Sequence, residues 1–527
     1  MKIITRSQRP KVGSRLGNIL CLTIDRLNSD ALGAYGATWL DTPGFDALAA
    51  ESILFDSFYA TSLDLDALLR AFWRGESPSR FVATDEPPDA ESLFRAMKRR
   101  GYRTFLLSDD ERVALSPSVD SDDCDERFLL DRVRLDAPVE SFYQTAFFKN
   151  FEELARFLVG LNDAQRIDAP APWFVWAHFS GWNDAWDFPM ERREQFREIV
   201  CDPETGDLIP EESDPKSYSA IDPPYLPSAP KSRRAGRTRG AVDVRSTRDD
   251  EPRKVVPNSS PQASRELARL ASLDETDRRQ SVLQAYCGGL SVFDETLAGF
   301  LELAKEHGIL KNTLFALAGT RGLALGYPGG LGRPGADDVP SPFYAEEIRV
   351  PLLLRLPDGT GATVRLPQLC EPRDVFATLR DWPDFAPSLA SREFWRLENR
   401  EISPLAGRWG DEDAAPDKRS DDGAFHALDL DRPGQNLLPL LADEEGSVRD
   451  SICVVAKDAE SSERALVVDE WFLKTEPPTD EDRADDPDAP DVVELFALPD
   501  DRFCVNDVAD RCSDVAERLK STLDAAR

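Results

Sequence analysis

Four short, strand-like runs constrain the fold of this chain more than any other feature. They are residues 18–24, 101–107, 173–179 and 313–318. The first of them is a nearly continuous apolar run, interrupted only by Thr23 after the initial Asn18, which is typical of a strand buried on both faces of a parallel sheet. The sequence therefore predicts a layered α/β fold with residues 18–24 as the first central strand.

Amphipathic segments precede the other three runs and strengthen this interpretation. They are residues 92–99, 151–161 and 283–307, and each has apolar positions at helical spacing. Helix-then-strand units that repeat along a chain indicate a doubly wound sheet with helices on both faces. We therefore expect a mostly parallel sheet flanked by helices.

The domain organisation follows from length and from shifts in composition. A chain of 527 residues exceeds what one hydrophobic core usually supports. We predict a flexible N-terminus at 1–15, an α/β domain at 16–400 and an α+β C-terminal subdomain with acidic loops at 401–527. A Pro- and Ser-rich stretch at about 190–265, with a basic segment at 231–239, is expected to be a mobile insertion.

Charge and residue usage exclude several classes of partner. The formal net charge of −33 disfavours nucleic acid and anionic membranes, because phosphates would meet a repulsive field. No apolar stretch is long enough for a membrane span or a signal peptide, so a cytoplasmic protein is expected. The eight cysteines lack metal-site spacing, and we predict no metal cluster, no disulfide framework and no cofactor.

A series of ordered sequence blocks carries a family resemblance. The opening blocks are residues 18–25, 30–36, 42–49 and 55–62, and the later ones are 286–294, 349–353, 374–379, 437–441 and 494–496 with Asn506. In this order and spacing they resemble the sulfatase family of the alkaline phosphatase superfamily. The resemblance runs from about residue 16 to 523 and implies an alkaline-phosphatase-like fold, although a fold does not fix a function.

The nucleophile that the resemblance implies is missing. Sulfatases use an aldehyde made from Cys or Ser in a C/S-x-P-x-R motif, with calcium and basic residues holding the sulfate. At the family's spacing the nucleophile position is Leu65, the proline is Ala67 and the arginine is Leu69. The segment 76–80 retains P-x-R, but its nucleophile position is Glu76, which cannot form that aldehyde. We interpret 75–80 as the turn that follows the motif in the family.

The metal ligands implied by the resemblance are also replaced. Asp25 matches the first aspartate, whereas Arg26 stands where many members have a second, and Thr320 and Arg321 stand at two further ligand positions. Calcium requires six to eight oxygen ligands with several carboxylates. One carboxylate beside two guanidinium groups is expected to repel a divalent cation.

The basic residues that the resemblance implies around the metal site are also replaced. Asp109 and Glu111 replace a lysine and a histidine, Asn183 replaces another histidine, and 312–417 contains no lysine for a second basic position. The three histidines match none of these positions, and His178 is expected to be a core or strand-end residue. Catalysis by histidine is therefore not predicted.

These replacements are expected to meet at one place. The carboxyl ends of parallel strands are where such sheets bind ligands. The sequence therefore predicts a vestigial pocket there, with no catalytic residue and no metal, formed by Asp25, Arg26, Asp109, Asn183, Thr320 and Arg321.

Several functions remain open from the sequence. Arg26 and Arg321 could simply pair with Asp25 and Asp109 in a protein without activity. They could instead hold an anionic ligand, such as a sulfated or carboxylated sugar. The chain could also bind a protein partner through charged loops such as 231–239. A fourth reading is an active sulfuric or phosphoric ester hydrolase that uses Asp64, Asp66, Thr61 or Ser62.

Overall fold

The computed structural model describes most of the chain between Gly17 and Ala525. The described residues are 17–80, 91–120, 122–130, 139–167, 171–183, 186–196, 242–243, 275–325, 343–357, 359–389, 433–442, 446–456, 463–478 and 490–525. The predicted flexible N-terminus, most of the predicted insertion and most of the acidic loops lie outside them. The predicted domain boundary at residue 400 also lies outside them.

A nine-stranded sheet forms the centre of the structure. Its order is β6-β4-β3-β5-β1-β7-β8-β2-β9. The strands are β1 (Asn18–Ile24), β2 (Ile53–Phe58), β3 (Arg103–Ser108), β4 (Glu126–Leu129), β5 (Trp173–Phe179), β6 (Val242–Asp243), β7 (Thr313–Gly319), β8 (Leu352–Arg355) and β9 (Arg365–Cys370). β1, β3, β4, β5 and β7 are parallel, as are β2 and β9, whereas β6 and β8 pair antiparallel with their neighbours. All four predicted runs are strands of this sheet.

Helices cover both faces of this sheet. They are α1 (Pro43–Ala49), α2 (Leu65–Arg74), α3 (Leu93–Arg99), α4 (Glu111–Ala114), α5 (Ala146–Ile167), α6 (Met190–Glu194), α7 (Glu275–Glu306), α8 (Ala345–Ile348) and α9 (Pro372–Leu389). α1, α5 and α6 contact α7 over one face, and α2, α3 and α9 contact one another over the other. Even-numbered β1 residues such as Leu22 face the first layer and odd-numbered ones such as Cys21 face the second. The predicted doubly wound, mostly parallel α/β fold is confirmed.

A second, smaller sheet follows near the C-terminus. It is antiparallel, in the order β10 (Ser451–Val455), β11 (Arg464–Val468), β12 (Trp471–Glu476) and β13 (Val492–Ala497). One face packs on helix α10 (Ser513–Asp524), and the other packs on residues that include Tyr59 after β2, Ile348 of α8 and Leu369 of β9. The predicted α+β character of this region is therefore confirmed.

Two further observations concern the cysteines and the apolar character of the helices. The seven cysteines among the described residues are all free thiols, and six of them are buried. No helix within the described ranges is long and apolar enough to cross a bilayer.

Candidate functional site

The carboxyl ends of the central parallel strands bring the candidate site together. β1 lies between β5 and β7, with Ile24 opposite Gly319 of β7. The residues after these two strands, Asp25 and Thr320, are therefore neighbours across the sheet. Asp109 follows β3, which lies on the far side of β5. The topology thus places residues that are far apart in sequence at one edge.

Asp25 is bound by an internal cation. Its side chain has no exposed surface, and Arg321, which is 2% exposed, donates from Nε to Oδ1 at 3.1 Å and from Nη2 to Oδ2 at 3.2 Å. Thr320 Oγ1 donates to Oδ1 at 2.8 Å. Burial alone would raise the pKa of Asp25, but the charges of Arg321 and Arg26 lower that pKa to about 2. Asp25 is therefore a charged carboxylate with both oxygens engaged.

Arg26 has an unusual backbone conformation and a different acidic partner. Its φ is 63°, in the left-handed region that non-glycine residues rarely adopt. Its Nη1 donates to the carbonyl oxygen of Gly322 at 3.0 Å and lies 3.7 Å from Glu347 Oε1. Tyr286 supports the turn by donating from its hydroxyl to the Arg26 carbonyl oxygen at 3.3 Å. Arg26 and Glu347 thus form a second internal ion pair beside the first.

Asp109 joins two strand ends and a helix. Its Oδ1 accepts the backbone N–H of Ser180 at 2.7 Å, and its Oδ2 accepts the Ser180 hydroxyl and Asn150 Nδ2, each at 2.8 Å. The expected pairing of Asp109 with an arginine is therefore corrected: the hydrogen bonds that the described residues make to it come from serine and asparagine. Three good donors already satisfy a buried carboxylate, so no cation is required there.

Asn183 lies in a tight turn against β1. It is buried, and its backbone N–H donates to the Ser180 carbonyl oxygen at 3.0 Å. The turn begins at Gly181, whose φ is 52° and where an added Cβ would lie 2.1 Å from the Asp25 carbonyl oxygen. Only glycine allows this approach, which keeps the turn against the strand end.

Leu65 occupies the position expected for the nucleophile. It is the first residue of α2, which Asp64 caps by accepting the Ala67 N–H at 2.8 Å. Leu65 and Leu69 belong to the apolar core under this face of the sheet. Arg321 Nη1 donates to the Leu63 carbonyl oxygen, which ties the start of this helix to the Asp25 pair. Apolar side chains therefore fill the position where a reactive group would be needed.

Two further polar residues lie near the site: Glu347, which was not identified from the sequence, and His178, which was predicted to be a core or strand-end residue. Glu347 lies in the stretch searched for a second lysine, so a negative side chain stands where a positive one was sought. His178 is fully buried next to the site, with Nδ1 3.0 Å from Thr23 Oγ1 and no hydrogen bond at Nε2 within the described part of the chain. Burial lowers its pKa, which favours the neutral ring. The predicted core role of His178 is confirmed.

The site residues do not fit a divalent cation. Asp25, Arg26, Asp109, Asn183, Thr320 and Arg321 are each less than a tenth exposed, as is Leu65. The oxygens of Asp25 already accept hydrogen bonds from Arg321 and Thr320. Among the described residues no group of three or more His, Cys, Asp or Glu side chains is arranged to hold a metal ion. A calcium ion at this point would have to displace a buried guanidinium group.

Comparison with known proteins gives a family and a fold. A family model described as Sulfatase matches residues 17–385, and no curated protein was found to match. A structure solved with its substrate D-glucosamine-2-N,6-O-disulfate is 13% identical, with a TM-score of 0.58 over 97% of this chain and 98% of that chain. Ps i-CgsB in complex with k-i-k-neocarrahexaose is 14% identical, with a TM-score of 0.53 over 97% and 94%. The phosphonate monoester hydrolase of Agrobacterium radiobacter is 16% identical, with a TM-score of 0.54 over 96% and 94%.

Proposed function

We propose that this chain, which belongs to the sulfatase family, is a non-catalytic member in which internal ion pairs replace the metal-assisted reaction centre. One observation carries this proposal: Arg321 contacts both carboxylate oxygens of Asp25 at 3.1 and 3.2 Å in a fully buried setting. A guanidinium group neutralises the carboxylate as a metal ion would, but Arg321 already donates to Asp25 and to the Leu63 carbonyl oxygen, and it cannot coordinate a substrate oxygen or a nucleophile as a metal ion does. The replacement preserves the fold while removing the chemistry.

The missing nucleophile supports the same proposal independently. Leu65 is an apolar core residue, and Leu69 replaces the arginine that the family places four residues later. Nucleophilic catalysis requires an activated group beside a base, and a leucine side chain offers neither. Both halves of the family's reaction centre are therefore absent at the aligned positions.

An anionic ligand at this centre is the less favoured function. The two guanidinium groups suggested it, but Arg321 already pairs with Asp25 and Arg26 lies 3.7 Å from Glu347. The two guanidinium groups share the site with three acidic side chains, Asp25, Asp109 and Glu347. The site therefore offers no excess attraction to a sulfated or carboxylated sugar. A protein partner is the remaining binding function, and the basic segment 231–239 that suggested it lies outside the described residues.

Ester hydrolysis with other residues is the second candidate function. Thr61 has a buried hydroxyl that makes no hydrogen bond within the described residues, so it lacks an adjacent base there. Ser62 accepts the backbone N–H of Asp64, and Asp64 in turn caps α2. These contacts account for both groups as structural residues, and Thr61 and Ser62 are each 1% exposed or less.

The two candidates differ in a hydrolysis assay. We expect the purified full chain to release no 4-nitrophenol from 4-nitrophenyl sulfate or phosphate above the uncatalysed rate, with or without calcium or magnesium. A sulfatase that retains the C/S-x-P-x-R motif serves as the positive control. Turnover that disappears in Thr61→Ala or Ser62→Ala would contradict the proposal and establish the hydrolase function instead.

A further inference from the structure

A cavity of about 230 Å³ lies where the two sheets meet. Its walls come from the β2–β9 edge of the large sheet, from α8, from the β11–β12 turn and from the segment after β13. Its apolar surface includes Ile348, Phe472 and Leu498. It shares no lining residue with the Asp25 site. This cavity is therefore a separate candidate for ligand binding.

Two hydroxyl groups in this cavity have no hydrogen-bond partner within the described residues. Tyr59 is only 7% exposed, yet its hydroxyl makes no hydrogen bond there, and the hydroxyl of Ser57 makes none either. Neither hydroxyl oxygen is among the fully buried side-chain atoms that lack a partner, so both can be reached from the cavity. A group that enters the cavity could therefore accept a hydrogen bond from Tyr59.

Two arginines also line the cavity, and they differ in how many of their N–H donors already make hydrogen bonds. Arg349 is held by Asp30 Oδ1 at 2.9 Å and by the Asp56 carbonyl oxygen at 3.2 Å. Arg502 makes one hydrogen bond within the described residues, to the Tyr35 carbonyl oxygen at 3.4 Å. A guanidinium group has five N–H donors, so Arg502 has several available for a ligand.

The local charges favour a negative head group. Arg349 forms an ion pair with the buried Asp30, and the charge of Arg502 also acts on Asp30, so two positive side chains of the cavity lining share one buried carboxylate. Asp469 is a further lining residue with a negative charge, but it is exposed in the β11–β12 turn, where solvent screens it. An anion inside the cavity would therefore interact more strongly with Arg502 than with Asp469.

We propose that this cavity binds a small organic anion. Its carboxylate, phosphate or sulfate group contacts Arg502 and the Tyr59 hydroxyl, and its apolar body packs on Ile348, Phe472 and Leu498. The volume is below the roughly 300–1,000 Å³ of sites for drug-sized ligands, so the occupant is a single ring or a short chain. This inference does not depend on whether the Asp25 site is catalytic.

The test uses simple probes with the folded full-length protein. Benzoate and phenyl phosphate supply the two head groups, while benzamidine and benzyl alcohol supply a cation and a neutral molecule of similar size. Calorimetry is expected to show saturable binding of at least one anion, with a dissociation constant of about 1 mM or tighter. Neither the cation nor the neutral probe is expected to bind as tightly.

Variants then locate the binding. Arg502→Met and Tyr59→Phe are each expected to weaken binding of the anion about tenfold, because each removes one hydrogen-bond donor to a charged group. Arg511→Met, an exposed change in the same segment, is the matched control and should bind as the unmodified protein does. Tyr59→Phe keeps the aromatic ring, so it decides the question if Arg502→Met fails to fold. Three results would each overturn the proposal. The folded cavity variants could bind the anion as tightly as the unmodified protein does, benzamidine could bind as tightly as the anions, or neither anion could show saturable binding.

Discussion

Replacing Arg321 by alanine is expected to lower the free energy of unfolding by about 3–5 kcal/mol, since the change leaves a buried charge without its partner. Asp25 has no exposed surface, and its low pKa depends first on the charge of Arg321. The variant also loses the bond from Arg321 to the Leu63 carbonyl oxygen, which joins the site to α2. Urea-induced unfolding monitored by circular dichroism gives the change directly.

A second substitution separates the charge from the lost packing. Adding Asp25→Asn to Arg321→Ala removes the uncompensated carboxylate, so the double variant is expected to be more stable than Arg321→Ala alone. The coupling between the two positions should exceed about 1 kcal/mol, as it does for groups in direct contact. If the two effects simply add, the ion pair does not contribute as the geometry indicates.

Replacing Arg449 by alanine is expected to destabilise the protein by a similar amount, about 3–5 kcal/mol. Arg449 donates from Nε to Asp374 Oδ2 at 2.8 Å and from Nη2 to Asp374 Oδ1 at 2.6 Å, and the same Nη2 lies 3.0 Å from Glu371 Oε1. Both carboxylates are buried at the start of α9. The change would leave two buried acids with one neighbouring cation, Arg373.

An exposed ion pair provides the control for Arg449. Arg156 contacts Glu152 and Glu153 on the surface of α5, and its side chain is 61% exposed. Arg156→Ala is expected to change the free energy of unfolding by about 0.5 kcal/mol or less, because solvent screens such pairs and alanine favours the helix. Equal losses in the two variants, measured in the same urea titration, would contradict the structural role given to Arg449.

The central sheet could be predicted from the sequence because its strands have local signatures. Residues 18–24 form β1 with the predicted bounds, and residues 173–179 form β5 in the same way. In a layered α/β fold, continuous apolar runs of this length are typical of strands buried on both faces of a sheet. Periodicity therefore predicted the doubly wound arrangement and four of the nine strands, namely β1, β3, β5 and β7, whereas β2, β4, β6, β8 and β9 were not identified as strands.

The partners within the site could not be predicted in the same way. Arg26 pairs with Glu347 of α8 rather than with Asp109, and its backbone is in the left-handed region. Neither this conformation nor the three donors to Asp109 leaves a signal in a single sequence. Sequence spacing predicted that these residues lie at one edge of the sheet. Which of them form ion pairs depends on contacts between segments that are distant in the sequence.

The cavity between the sheets could not be predicted from the sequence either. The two arginines that line it, Arg349 and Arg502, are separated by more than a hundred residues, and they lie in segments next to strands of different sheets. Tyr59 lies in residues 55–62, one of the blocks that carry the family resemblance, so nothing indicated a second role for it. Only the packing of one sheet against the edge of the other brings these side chains to a common space.

A calcium titration of the purified full-length protein, followed by thermal unfolding, tests the central claim most directly. The internal pair between Arg321 and Asp25 predicts no change in the melting temperature at any calcium concentration and no bound divalent ion by metal analysis. A site for calcium would instead add about 2.7 kcal/mol to the free energy of unfolding at 100 times its dissociation constant. A stabilisation of that size would contradict the account and would restore a metal-dependent centre.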